Sequence, residues 1–126
     1  MIRGAVAIVK PGSVLGPAMV GVPVVFMGQA GDSCRVEAAT VRYLVPRHDL
    51  EPGRLWLARG RTWHGPLGGW REALEALASI CPPHDLPAVR DALQPGWGTP
   101  LGAVTMAGGW RYRLAWGGAS PPARYS

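Results

Sequence analysis

The residues best suited to chemistry in this chain cluster around one glycine-rich stretch. Arg59, Arg61, Trp63 and His64 lead into Gly65-Pro66-Leu67-Gly68-Gly69-Trp70-Arg71. Free backbone N–H groups at a helix start attract anions, and glycines let a phosphate approach closely. Arg71 in the first helical turn, with Arg59, Arg61 and His64 upstream, adds positive charge. The stretch lacks Gly-Lys-Ser/Thr, so it is not a P-loop, and it has no strand–turn–helix dinucleotide fingerprint. The same residues also suit a plain linker between a strand unit and a helix unit.

A second group is Arg111 and Arg113 within Trp110-Arg111-Tyr112-Arg113-Leu114-Ala115-Trp116. Strict alternation marks a strand with one buried face. It sends Trp110, Tyr112, Leu114 and Trp116 to the core and the two arginines to solvent. If this strand pairs with a hairpin around Arg59-Gly60, then Arg59, Arg61 and Trp63 join it in a basic and aromatic surface. Arginine contacts phosphates and tryptophan stacks on bases. Trp63 and Trp97 lie among glycines and are the expected exposed aromatics; Trp70, Trp110 and Trp116 lie on apolar faces and are expected in the core.

Metal and nucleophile chemistry is poorly supported. Cys81-Pro82-Pro83-His84 has a chelating spacer, but a structural zinc site takes four ligands. Cys34, His48 and His64 show no paired spacing. Both Cys34 and Cys81 fall on apolar stripes and read as core thiols. No nucleophile elbow is present, and Asp85 reads as a helix N-cap. The expectation is no catalytic residue, no metal and no cofactor.

Composition bounds the partner. The chain has 126 residues, 48% hydrophobic and 17% charged, with a net charge of +5. That suits one globular domain rather than a disordered chain. Twelve of the 13 basic residues are arginine and only Lys10 is lysine. A GC-rich coding bias accounts for most of that ratio, but not for the excess of positive charge. The excess points to nucleic acid or an acidic partner. Two cysteines fit a reducing cytoplasm. The apolar run Ala5 to Val9 is too short for a signal peptide. The uncharged stretch Pro11 to Gly31 is broken by Pro11, Pro17, Pro23 and several glycines, so it cannot span a membrane as a helix. A soluble cytoplasmic protein is expected.

The elements that must position these groups follow from periodicity. Val6 to Val9, Val22 to Met27, Cys34 to Ala38 and Val41 to Val45 read as strands, closed by a short helical turn over 46–52. Arg54 to Ala58 and Arg61 to His64 read as two further strands. Trp56, Trp63 and Trp70 are spaced by seven, but the glycines between them forbid a coiled coil. Trp70, Ala73, Leu74, Leu77 and Cys81 form one helical stripe. A second helix starts after Asp85 and buries Leu86, Val89 and Leu93 before Pro95-Gly96. The short link predicts a helical hairpin. Ala103 to Ala107 and Trp110 to Trp116 form a β-hairpin about Gly108-Gly109.

Ala7-Ile8-Val9-Lys10, Val20-Gly21, Cys34-Arg35-Val36 and Tyr43-Leu44-Val45-Pro46-Arg47-His48-Asp49-Leu50-Glu51-Pro52 together resemble a small SH3-like barrel. Such barrels occur in KOW-type modules and in many small phage or prophage proteins. The resemblance covers about residues 4–52 and implies a fold, with no function attached. The expected architecture is therefore α+β in one compact domain over 1–126: an SH3-like β-barrel (4–52), then a helical hairpin and a C-terminal β-hairpin (53–118), then a mobile tail (119–126). The expected function is a non-enzymatic binding protein whose basic face, drawn from Arg59, Arg61, Trp63, His64, Gly68, Gly69, Arg71, Arg111 and Arg113, meets nucleic acid or a nucleoprotein complex. Two alternatives stay open. One is a protein-interaction module, such as a phage-encoded inhibitor of a host machine. The other is a small enzyme using His48, His64 or His84.

Overall fold

The computed structural model describes residues 2–94 and 103–122. It is mostly β, 46% strand and 22% helix, in two antiparallel sheets of five and four strands. The strands are β1 (Val6–Val9), β2 (Pro23–Ala30), β3 (Ser33–Ala38), β4 (Val41–Pro46), β5 (Leu50–Pro52), β6 (Arg54–Arg59), β7 (Thr62–Leu67), β8 (Ala103–Ala107) and β9 (Trp110–Gly117). The helices are α1 (Trp70–Ile80) and α2 (Leu86–Leu93). The predicted stop at Pro95-Gly96, the exposed Trp97 and the tail beyond residue 122 lie outside the described residues.

The first sheet has the order β4-β3-β2-β1-β5. Alternation places Ala7, Val9, Val24, Phe26, Cys34, Val36, Val45 and Leu50 on one face, all buried. The predicted barrel is not formed, because β4 and β5 are the two edges and do not pair. Closure needs a partner for the last strand, and β5 is too short to wrap round. It is three residues long and ends at Pro52, which has no N–H for a ladder. The chain then leaves through Gly53 for the second sheet. The open core is lidded instead by the loop after β1, whose Leu15 and Met19 pack onto it.

That loop is held by a polar clamp. Asp49, buried, accepts hydrogen bonds from Ser13 Oγ (2.9 Å) and the Val14 N–H (3.0 Å), while Ser13 Oγ accepts one from the Leu15 N–H (3.2 Å). The Val14 N–H, above all, holds the Asp49 carboxyl below its ordinary value, with Ser13 assisting. The first sheet meets the second at a close approach. The Gly53 N–H donates to the Val6 carbonyl at 2.9 Å, and a Cβ at Gly53 would lie 2.8 Å from that oxygen.

The second sheet has the order β7-β6-β9-β8. One face carries Leu55, Leu57, Tyr112 and Leu114 and is covered by Ala73, Leu77 and Cys81 from α1 and by Val89 and Leu93 from α2. Of the predicted stripes, Ala73, Leu77, Cys81, Val89 and Leu93 are buried, Trp70 and Leu86 are half-buried against the same core, and Leu74 is half-buried outside it. The β8–β9 turn has φ +58° at Gly108 and +80° at Gly109, as a two-residue hairpin turn requires. Asp85 differs from its expected role. It makes no side-chain cap on α2; its carboxylate lies against Gly108, where a Cβ would come within 2.7 Å of Oδ2. Trp56 points away from the helices, yet it is buried. Its Nε1 donates to the Gly118 carbonyl at 3.1 Å, and Gly65 and Gly117 lie close against its ring.

Candidate nucleic-acid interface

The registers of the second sheet sort the sequence candidates between its two faces. Strand β6 pairs with both β7 and β9, so the two hairpins do lie side by side. Ala58 sits opposite Trp63 on one side and Arg113 on the other, and Arg113 sits opposite Val104. Trp63, Ala58, Arg113 and Val104 therefore form one row across all four strands. Arg111, opposite Met106, belongs to the same face. Neither helix covers that face, because both pack on Leu55, Leu57, Tyr112 and Leu114. Trp63 and Arg113 are half-buried, and Arg111, Val104 and Met106 are exposed. Arg61 is exposed in the tight turn between β6 and β7.

Arg59 goes the other way. It pairs with Tyr112 in register and so shares the helix-side face. Its guanidinium lies 4.2 Å over the Trp110 ring and 5.9 Å from the Tyr112 ring centre. Trp110 corrects an expectation. It was placed in the core by alternation, yet it is 46% exposed. It opens the strand, opposite Ala107 at the last position of β8, and stacks on Arg59 instead of entering the helix core. Tyr112 and Leu114 follow the alternation, and Trp116 is half-buried against the core.

The glycine stretch has a different form from the predicted loop. Residues 65–67 complete β7, leaving only Gly68-Gly69 before α1. The Gly68 N–H donates to the Glu72 carboxylate, one turn into the helix. Glu72 thus supplies an anion to the helix start from within the chain. Arg71 is exposed in the first turn, whereas His64 shares an open cleft with Arg59, Thr62, Trp110 and, at the far end of α1, Ser79 and Ile80. Eight residues of helix separate Arg71 from Ser79, about 12 Å. The structure joins Arg59 to His64 and keeps Arg71 apart from both.

Charge segregates with the layers. The strands and turns of the second sheet carry Arg54, Arg59, Arg61, Arg111 and Arg113 and no acidic residue. Glu72, Glu75, Asp85 and Asp91 all lie in the helical layer. The first sheet adds a groove that sequence reasoning missed, about 450 Å³, where Arg3, Arg35 and Arg42 meet Met27, Tyr43 and Leu44. Arg42 there is paired with Glu37 at 3.3 Å. The β3–β4 register, which pairs Arg35 with Leu44 and Glu37 with Arg42, brings these arginines to one groove. The Asp49 clamp was also missed, because its partners Ser13 and Val14 are distant in sequence.

The histidines occupy different elements. His48 flanks Asp49 at 3.2 Å, and His84 flanks Asp85 at 3.5 Å. His64 lines its cleft without either of them. Among the described residues no three His, Cys, Asp or Glu side chains come together as a metal site, and no helix is long and apolar enough to cross a membrane. No protein-family model, curated protein or solved structure matches the chain.

Proposed function

We propose that this protein is a small basic binding module that engages nucleic acid through the outer face of its four-stranded sheet. The observation that carries the reading is the row Trp63–Ala58–Arg113–Val104, with Arg111 beside it, on a face that neither helix covers. The half-buried Trp63 ring and the exposed Arg111 suit base stacking and phosphate contact, whereas Arg113 has Nε and Nη1 buried and adds positive charge beneath the surface. The strands themselves carry no acidic residue, which favours a positive field over their middle, while Asp85 and Glu51 reach only the ends of the sheet at Gly108 and Gly118. Arg61 extends that field at the β6–β7 turn.

The test is oligonucleotide binding by fluorescence anisotropy over a salt series. Affinity is expected to fall steeply with salt, as counterion release requires. The double variant Arg111→Glu, Arg113→Glu is expected to weaken binding about tenfold or more and to reduce the salt slope by about 2. Binding that ignores both salt and these substitutions overturns the reading.

A second reading rests on a separate observation. Val104 and Met106 are 47% and 64% exposed on the edge strand of the same face. Apolar side chains beside arginines also suit an acidic protein surface. In that case Val104→Asp with Met106→Asp abolishes association with the partner, and the purified protein shows no affinity for nucleic acid at low salt.

A further inference from the structure

The cleft on the helix-side face is distinct from the interface proposed above. It has a volume of about 380 Å³ and is lined by Arg59, Thr62, His64, Ser79, Ile80 and Trp110. We infer that this cleft is a binding site for a small phosphate monoester, with Arg59 as its cation.

Arg59 is held in place before any ligand arrives. Its guanidinium is flanked by the Trp110 and Tyr112 rings, so little side-chain freedom is left to lose on binding. It forms no ion pair among the described residues, and its buried Nε has no hydrogen-bond partner there. No carboxylate lines the cleft. A guanidinium without a carboxylate is matched in shape and charge by a phosphate. Thr62 and Ser79 offer hydroxyls and His64 a ring nitrogen to the remaining oxygens.

One feature of the cleft opposes an anion. Ser79 and Ile80 are the last residues of α1, where the helix carries about half a negative charge. The full charge of Arg59 outweighs that partial charge, which is screened at an exposed end. The volume exceeds what inorganic phosphate alone fills and falls in the range of small-molecule sites. Ile80 and the exposed Trp110 supply apolar walls for an organic remainder.

The experiment is a titration followed by backbone and indole NMR of the intact protein, with inorganic phosphate and phenyl phosphate as probes. Saturable shifts are expected at Thr62, His64, Ser79 and the Trp110 indole N–H, with phenyl phosphate the tighter of the two. Arg59→Met is expected to weaken phenyl phosphate about tenfold or more, because a charge-assisted contact is lost. Arg90→Met, an equal loss of charge on the solvent side of α2, leaves affinity unchanged. Thr62→Val and Ser79→Ala, each expected to weaken binding severalfold, serve if Arg59→Met does not fold. A 5′-phosphorylated oligonucleotide compared with its 5′-hydroxyl twin identifies the source. A gain that Arg59→Met erases assigns the cleft to a strand end, and no gain assigns it to a free phosphorylated metabolite. Absence of saturable shifts, or equal affinity in Arg59→Met, overturns the inference.

Discussion

Asp49 is a buried carboxylate held by two hydrogen bonds from the loop after β1. It is 6% exposed, and its carboxylate takes both Ser13 Oγ and the Val14 N–H. These bonds favour the ionised form, so the folded state holds the Asp49 carboxyl below its ordinary value of 3.8. A carboxyl with a depressed folded value stabilises the protein above its unfolded value, and that stability is lost as pH falls through the folded one. Asp49→Asn is therefore expected to lower Tm at pH 7, and the difference from the parent is expected to shrink below about pH 4. Thermal unfolding at stepped pH checks this; parallel curves at every pH contradict it. Tyr112 presents the opposite case. Its ring is fully buried and its hydroxyl makes no hydrogen bond of good geometry among the described residues; burial above all, with Cys81 beside it, raises its ionisation above the ordinary 10.0 against the opposing pull of Arg59. Since the unfolded chain ionises first, stability falls as pH rises past about 10. Tyr112→Phe removes an unsatisfied buried group while keeping the ring over Arg59. It is expected to be neutral or to stabilise by about 1 kcal/mol, and to flatten the alkaline decline. A loss of several kcal/mol in denaturant unfolding would show that the hydroxyl is bonded after all.

At the scale of elements, what could be read from the sequence was what has a local cause. The stripe Ala73, Leu77 and Cys81 defines α1, and the Gly108-Gly109 pair defines the β8–β9 turn. The elements that escaped have non-local causes. Strand β5 is three residues that become a strand only by pairing with β1. Strand β2 runs on to Ala30 through an irregularity between Phe26 and Gly28, which its apolar pattern does not reveal. Alternation assigned Trp110 to the core because it cannot see that the strand's first residue lies opposite the end of β8 and stacks on Arg59. Register alone splits Arg59 from Arg113, so one run of basic and aromatic residues serves two faces. The β8–β9 turn also supports a prediction. A side chain at Gly108 meets both a positive φ and the Asp85 carboxylate. Gly108→Ala is expected to cost about 1–3 kcal/mol, whereas Gly69→Ala, in open space and extended backbone, costs far less. Equal Tm shifts for the two would contradict the packing described.

The described molecule is two sheets joined at Gly53, whose N–H donates to the Val6 carbonyl as the chain passes from β5 to β6, with two helices on one face of the second sheet. The sequence resembled a closed barrel because alternation marks strands without saying whether the outer two meet. Here β4 and β5 do not. This layering also separates charge along the chain's second half, with Glu72, Glu75 and Asp91 in the helices, Asp85 between them against the β8–β9 turn, and five arginines on the strands and turns of the second sheet. The account stands on that separation having a partner. Its most direct test is the salt dependence of oligonucleotide binding by the parent and by Arg111→Glu, Arg113→Glu. The account predicts a steep loss of affinity with salt in the parent, and in the variant a weaker affinity with a slope lower by about 2. Superimposed salt curves for the two proteins, or no binding at low salt, would contradict it.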